Sequence, residues 1–280
     1  MPKAGVAPDV ISYNSVISAC AHAAQWERAI SLLVACRAAG IEPNVISYNT
    51  AIAACAKAKE WERAVSLLGE MRSCGVPPDV ISFNSCLSAA GGEWEKAVRL
   101  LGAMASSGVT PDARTYNAVL SACGRGGAAA RALELLGEMR AAGLAPDVYS
   151  YSAAISACEK GGSWGEALEL LDAMRAAGVA PNVVAYSAAV SACAKGGAWQ
   201  NALGLLEQMR DAGVTPNVIS YNSAISACER FGECDHALAV LHDMKAAGVR
   251  PDLITYNLAV SACQKAGRWE ASGAVAAGRD

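Results

Sequence analysis

At 280 residues and a formal net charge of −3, the chain lacks the overall basic excess that draws a protein onto polyanions regardless of their sequence. Its apolar runs are interrupted every few residues, so none is long enough to span a bilayer. The 53% hydrophobic content would suit one or two globular cores, but its arrangement points elsewhere.

The segment VISYNTAIAACAKAKEWERAVSLLGEMRSCGVPPD, Val45 to Asp79, returns as VISYNSAISACERFGECDHALAVLHDMKAAGVRPD, Val218 to Asp252. A fixed 35-residue period marks a stack of like supersecondary units. In chain order, residues 1–9 read as the tail of a preceding unit, because Met1 falls where later units carry Met71 or Met139. Complete units follow at 10–44, 45–79, 80–112, 113–147, 148–182, 183–217 and 218–252. A partial eighth, expected to fray because Gly273 interrupts its second helix, occupies 253–280. No cleavable targeting segment is visible, which says little for a chain read as a piece of a longer array.

Each unit is predicted to hold two helices. The first opens after a Pro-Asp or Pro-Asn pair, where proline stops the preceding helix and Asp or Asn can cap the next. Its apolar face carries Tyr13, Tyr48, Phe83, Tyr116, Tyr151, Tyr186, Tyr221 or Tyr256 at the fourth position, with further small or aliphatic residues at helical spacing. The second helix starts near Trp26, Trp61, Trp94, Trp164, Trp199 or Trp269, runs through a Leu-Leu pair and Met, and ends at a glycine suited to a left-handed cap. The fold class is therefore all-α: antiparallel helix-turn-helix repeats stacked as an α-solenoid.

Of the eleven cysteines, Cys20, Cys55, Cys123, Cys158, Cys193, Cys228 and Cys263 share the eleventh position, where the third unit has Ala90. They read as small apolar packing residues without disulfides, in a reducing compartment. No C-x-x-C spacing occurs, so neither a metal nor a cofactor is expected. His22, His236 and His242 have no carboxylate or cysteine at ligand spacing and read as surface residues.

These residues closely resemble the pentatricopeptide repeat family: the 35-residue length, the V-x-[ST]-Y-N opening, the Ala-x-x-Leu-Leu-x-x-Met second helix and the Gly-Val-x-Pro-[DN] ending all match it, over residues 6 to about 270. The resemblance implies a right-handed superhelix whose first helices line a surface for single-stranded RNA. It implies a plastid or mitochondrial setting, in RNA stability, processing or translation. The H-x-E and C-x-x-C of the family's editing deaminases are absent, as are a P-loop, a dinucleotide fingerprint and a nucleophile constellation, so the chain reads as non-enzymatic, with no small-molecule substrate. A helical scaffold for protein partners, whose identity the sequence does not give, is the alternative.

Positions two, five, nine and thirteen of a unit share one helical face, turned away from the tyrosine stripe. The second position holds Ile11, Ile46, Ile81, Arg114, Tyr149, Val184, Ile219 and Ile254. The fifth holds Asn14, Asn49, Asn84, Asn117, Ser152, Ser187, Asn222 and Asn257, residue types disfavoured inside helices. The thirteenth holds His22, Lys57, Arg125, Lys160, Lys195, Arg230 and Lys265, a basic row on an acidic protein; a two-residue deletion removes it from the third unit. Such a row suits a phosphate backbone, although cations also favour helix C-termini.

The resemblance further implies that the fifth residue and the last residue of a unit jointly read one base, sandwiched by second-position side chains. Asn14 with Asn44 resembles the pair preferring cytosine and tolerating uracil. Asn49 with Asp79, Asn84 with Asp112, Asn117 with Asp147 and Asn222 with Asp252 resemble the uracil pair, and Ser152 with Asn182 and Ser187 with Asn217 the adenine pair. The implied target is near 5′-(C/U)UUUAAU-3′. Asp and Asn at the last position also suit plain helix capping, and the two roles are compatible.

Overall fold

The computed structural model describes residues 8–277, so most of the expected leading tail lies outside the described residues. Among them every regular element is an α-helix. The chain divides into two compact units, Met1–Ala122 and Cys123–Asp280. The first holds the helix pairs α1 (Val10–His22) and α2 (Trp26–Ala38), α3 (Val45–Lys57) and α4 (Trp61–Ser73), and α5 (Val80–Ala89) and α6 (Trp94–Ser106), then most of α7 (Ala113–Gly126). In the second, α8 (Ala129–Ala141) precedes the pairs α9 (Val148–Gly161) and α10 (Trp164–Ala176), α11 (Val183–Lys195) and α12 (Trp199–Asp211), α13 (Val218–Phe231) and α14 (Cys234–Ala246), and α15 (Leu253–Lys265) and α16 (Trp269–Ala277).

Local sequence sets both ends of these helices. Asp79, in extended conformation, accepts the Ser82 N–H with its side chain, and the Ser82 hydroxyl accepts the Asp79 N–H, a reciprocal box repeated at Asn44, Asp147 and Asp252. The second helices from α2 to α14 start without a side-chain cap. The preceding backbone turn positions them instead: the N–H before the helix donates to the carbonyl of the eleventh-position cysteine, as in Glu60 to Cys55 and Ser163 to Cys158, each at 2.9 Å. At the far end, Gly178 takes a left-handed φ of 72°, and the Val179 N–H returns to the Met174 carbonyl at 3.0 Å. The recurrent Gly-Val is thus a helix terminator, as its sequence position predicts.

Packing is lateral. In the first unit α1, α3 and α5 lie side by side, α2 and α4 each lie against their own first helix and the next one, and α6 lies against α5. The same holds for α9, α11, α13 and α15 in the second. Tyr48, Tyr151, Tyr186 and Tyr221 are fully buried between helices, with Ile52, Ile155, Leu68 and Met174. No single hairpin could cover such side chains, each of which contributes roughly 1.5–3 kcal/mol on burial. Close packing also selects glycine locally: a Cβ on Gly196 would sit 2.1 Å from a ring carbon of Trp164. The two-residue deletion shortens α5 to ten residues, the shortest of the first helices.

One expectation fails. Most of the eleventh-position cysteines are buried as predicted, but Cys263 is disulfide-bonded to Cys234. Cys234 opens α14 where most other second helices open with Trp, and its Cα lies 4.6 Å from that of Cys263, within bridging range. Burial raises the buried thiols: Cys86 is pushed up to about 12, and Cys158 and Cys193 to about 11. Alkylation of the native protein without reductant should therefore mark Cys74, which is exposed, and more slowly the half-buried Cys20. Labelling of Cys86 or Cys158 at a comparable rate, read by peptide mass spectrometry, would contradict this packing.

Candidate nucleic-acid interface

The face left open by the first helices is the one the spacing predicts. Ile11, Ile46, Ile81, Tyr149, Val184, Ile219 and Ile254 are 57–75% exposed, which is unusual for large apolar side chains. Arg114 is exposed as well. The helix places them there because the fourth-position aromatic, two residues on, is held in the core.

Beside this apolar row, fifth- and last-position side chains meet in a recurring network. Asn49 Nδ2 donates to Asp79 Oδ1 at 3.1 Å, Asn84 Nδ2 to Asp112 Oδ1 at 3.2 Å, and Asn222 Nδ2 to Asp252 Oδ1 at 3.2 Å. Asn14 Nδ2 likewise approaches Asn44 Oδ1 at 3.3 Å. The same Oδ1 accepts the capping N–H two to three residues into the next helix, from Ser82 at 2.9 Å or Thr115 at 2.8 Å. Capping and pairing are therefore simultaneous. With Oδ1 occupied, an aspartate has its second oxygen left to present as an acceptor, whereas an asparagine presents its amide donor.

The serine pairs differ. Ser152 and Ser187 are buried, at 7% and 8% exposure, so the surface above them is recessed. Ser152 Oγ reaches Asn182 Oδ1 only at 3.4 Å. Ser187 is bonded not to Asn217 but to Ser220 Oγ at 2.7 Å, and Ser220 in turn donates to Asn217 Oδ1 at 3.0 Å. Asn117 is half-buried on α7, Asp147 caps α9, and Asn257 is exposed on α15.

One set of residues escapes the sequence reading: the third-position hydroxyls. Ser47, Ser82, Thr115, Ser220 and Thr255 are buried, and each bonds back to the fifth-position side chain of the preceding unit. The signal was present in the opening V-x-[ST]-Y-N, where a hydroxyl recurs inside a helix that disfavours it.

The thirteenth-position cations are all exposed, but several have protein partners. Lys160 Nζ donates to the Arg125 carbonyl, and Arg230 to the carbonyls of Ala194 and Lys195, satisfying the C-terminus of the neighbouring first helix. Lys195 pairs with Glu159 at 2.8 Å and Lys265 with Glu229 at 2.7 Å. Helix-end capping, the alternative use of these residues, is thus realised at Lys160 and Arg230. Unused donors remain on each ammonium. Among the described residues no cluster of His, Cys, Asp and Glu is arranged to hold a metal, and no helix is long and apolar enough to cross a membrane.

Comparison with known proteins places these features. The model of the PPR repeat family matches residues 8–57 and 43–92, and that of the pentatricopeptide repeat domain matches 99–161, 134–196, 169–230 and 204–266. Among solved structures, the pentatricopeptide repeat protein PPR10 of maize in complex with an 18-nt psaJ RNA element has a TM-score of 0.59 at 23% identity, over 96% of this chain and 50% of that one. The chain thus spans about half the length of PPR10. Nuclear proteinaceous RNase P 2 from Arabidopsis thaliana gives 0.53 at 17% identity, over 60% of this chain and 37% of that one. The PPR domain of Arabidopsis thaliana protein-only RNase P 1, in complex with tRNA, gives 0.51 at 20% identity, over 56% and 83%. At these identities the likeness is one of fold. No curated protein sequence matches the chain.

The capping aspartates give the interface an acid limit. Burial opposes ionisation of Asp79 and Asp112, but bonds from the capping N–H, the third-position hydroxyl and the Asn amide outweigh it and hold both below the ordinary 3.8. At Asp252 the Thr255 N–H leads and the direction is the same. Because folding lowers these values, the native state binds fewer protons than the unfolded chain. Their stabilisation is complete above 3.8 and is lost as pH falls below it. Thermal melts should be steady from neutrality to about pH 5 and drop below about pH 4, with a shallower drop in Asp79→Asn, which keeps the capping oxygen without the titrating group. An equally steep drop in that variant would remove Asp79 from the explanation.

Proposed function

Because the chain belongs to the pentatricopeptide repeat family, we propose that its first helices bind single-stranded RNA in a sequence-selective way, at about one base per repeat. PPR10, whose fold it shares, is solved with an RNA element bound. The observation that carries the proposal is the cap-coupled pairing of the fifth and last positions. An Asn–Asp pair offers an amide N–H beside a carboxylate oxygen, which complements a carbonyl and the N3–H of uracil. In an Asn–Asn pair the second group is an amide donor, which suits the N3 acceptor of cytosine. In a Ser–Asn pair the recessed serine leaves room for a purine and the amide donor meets N1 of adenine. These rules give a target near 5′-(C/U)UUUAAU-3′, with the N-terminus toward the RNA 5′ end.

Second-position side chains would sandwich the bases. Arg114 and Tyr149 can stack on a base as the aliphatic residues do, since base–aromatic stacking tolerates every base. The exposed ammonium and guanidinium groups of the thirteenth position would contact phosphates. Nothing in this arrangement calls for catalysis: the protein would act by occupying its strand, against exonucleases, against local structure, or to expose a neighbouring site. The setting we propose is a plastid or a mitochondrion, in RNA stability, processing or translation.

Selection of bound RNA from a random pool tests the reading. Enrichment of the target above supports it; a pool with no enriched motif would favour a protein-docking role for the exposed apolar row. The code itself is tested by Ser187→Asn with Asn217→Asp, which gives the sixth unit the pair of the second. Preference at the sixth nucleotide should move from adenine to uracil by about tenfold, within the ~1–3 kcal/mol that a good side-chain–base pairing supplies. A uniform loss for every RNA would mean that these residues serve only packing. For the cations, Lys160→Ala, Lys195→Ala and Arg230→Ala together should weaken all RNAs alike and flatten the log–log salt dependence by about 0.7 for each phosphate no longer neutralised. An unchanged slope would exclude a phosphate-binding role for these three side chains.

A further inference from the structure

The fifth- and last-position residues do not orient themselves. We infer that the hydroxyl at the third position of the following unit is a third member of each base-reading set, a positioning residue that fixes which atoms the other two turn toward the base; this rests on the RNA reading above. Ser82 shows the logic. Its Oγ accepts the Asp79 N–H at 3.2 Å, and its single proton goes to Asn49 Oδ1, the nearest acceptor, at 2.5 Å. Asn49 Oδ1 is then committed as an acceptor, and its amide nitrogen must face Asp79 Oδ1. The amide is held from both sides, with one N–H left for the ligand. Thr115 holds Asn84 in the same way at 2.7 Å, Thr255 holds Asn222 at 2.6 Å, and Ser47 holds Asn14 at 2.6 Å.

In the sixth unit the same position sets a hydroxyl rather than an amide. Either hydroxyl can donate in the 2.7 Å bond between Ser187 and Ser220; with the Ser220 proton on Asn217 Oδ1, at 3.0 Å, Ser187 donates to Ser220. Ser187 Oγ is then an acceptor toward its ligand, the complement of an adenine amino group beside N1. The fifth unit lacks this device, because the following third position is Ala185. There Asn182 Oδ1 still accepts the Ala185 N–H at 2.9 Å, but Ser152 is tied to it only by the 3.4 Å contact. Two units with identical reading pairs, Ser with Asn, therefore differ in how firmly the serine proton is placed. A reading by fifth and last residues alone makes them equivalent; the three-residue set makes the fifth nucleotide the less discriminated of the two.

The test is competition binding, by fluorescence anisotropy, to 5′-CUUUAAU-3′ and its single-base variants. In Ser82→Ala the preference for uracil over cytosine at the second nucleotide should fall from about tenfold toward parity, with every other nucleotide unchanged. Ser82→Thr should restore it, since threonine fills this position at Thr115 and Thr255. Ala185→Ser should raise adenine preference at the fifth nucleotide to that at the sixth, and the fold accepts serine at this position in neighbouring units. Ser82 also closes a capping box, so circular-dichroism melts accompany each variant, and the gain expected of Ala185→Ser cannot arise from unfolding. Full uracil preference in a folded Ser82→Ala, or equal adenine preference at the fifth and sixth nucleotides of the unaltered protein, would overturn the positioning role while leaving base reading intact. Absence of preference at every nucleotide in the unaltered protein would overturn base reading itself, and this inference with it.

Discussion

The rest of the structure hangs on one hydrogen bond repeated along the chain: the last side chain of a unit accepting, through Oδ1, an N–H in the first turn of the next unit's first helix. It is short, 2.8–3.1 Å at Asn44, Asp79, Asp112 and Asp252. A cap of this kind is worth about 1 kcal/mol, which is modest for stability. Its larger effect is geometric. It starts each helix at a fixed residue, so the fourth-position aromatic falls into the core and the second position falls on the open face. It also consumes one atom of the capping group and decides which atom remains for a ligand.

Capping and recognition are therefore not rival explanations of the same residues. Asp and Asn cap equally well, so folding leaves the choice between them open, while the outward atom changes from acceptor to donor. Variation between Asp79 and Asn44 costs the fold little and changes the chemistry offered. A repeat can in this way alter its selectivity without altering its start.

Electrostatics follows a similar division. Second helices settle their charges among themselves, with Arg37 on α2 paired to Glu70 on α4, and Arg210 on α12 paired to Asp243 on α14 at 3.2 Å. Exposed pairs of this kind contribute at most about 1 kcal/mol. On the first helices, cations cluster at the C-terminal end, where they meet carbonyls or a neighbouring glutamate and keep donors to spare. A net charge of −3 thus coexists with a basic edge, because the acidic residues are placed mostly elsewhere.

The period, the two-helix unit, the buried tyrosines and the exposed face were legible in the sequence, because each depends on spacing within one helix and on local signals such as Pro-Asp and Gly-Val. What the sequence alone left open depends on contacts between units about 33 residues apart. The back-bonds of Ser82 and Thr255 and the sideways pairing of Ser187 with Ser220 arise only when first helices lie side by side at fixed register, and the bond between Cys234 and Cys263 only when α14 lies against α15. The preceding-unit partners of the third-position hydroxyls, and the partner of Cys234, lie outside their own helices; packing brings those partners within reach. Local pattern determines which face a residue occupies; only the lateral stacking of helices decides which atom it meets there, because a hydrogen bond or a disulfide is set by distances of a few ångströms that no spacing within a single helix specifies.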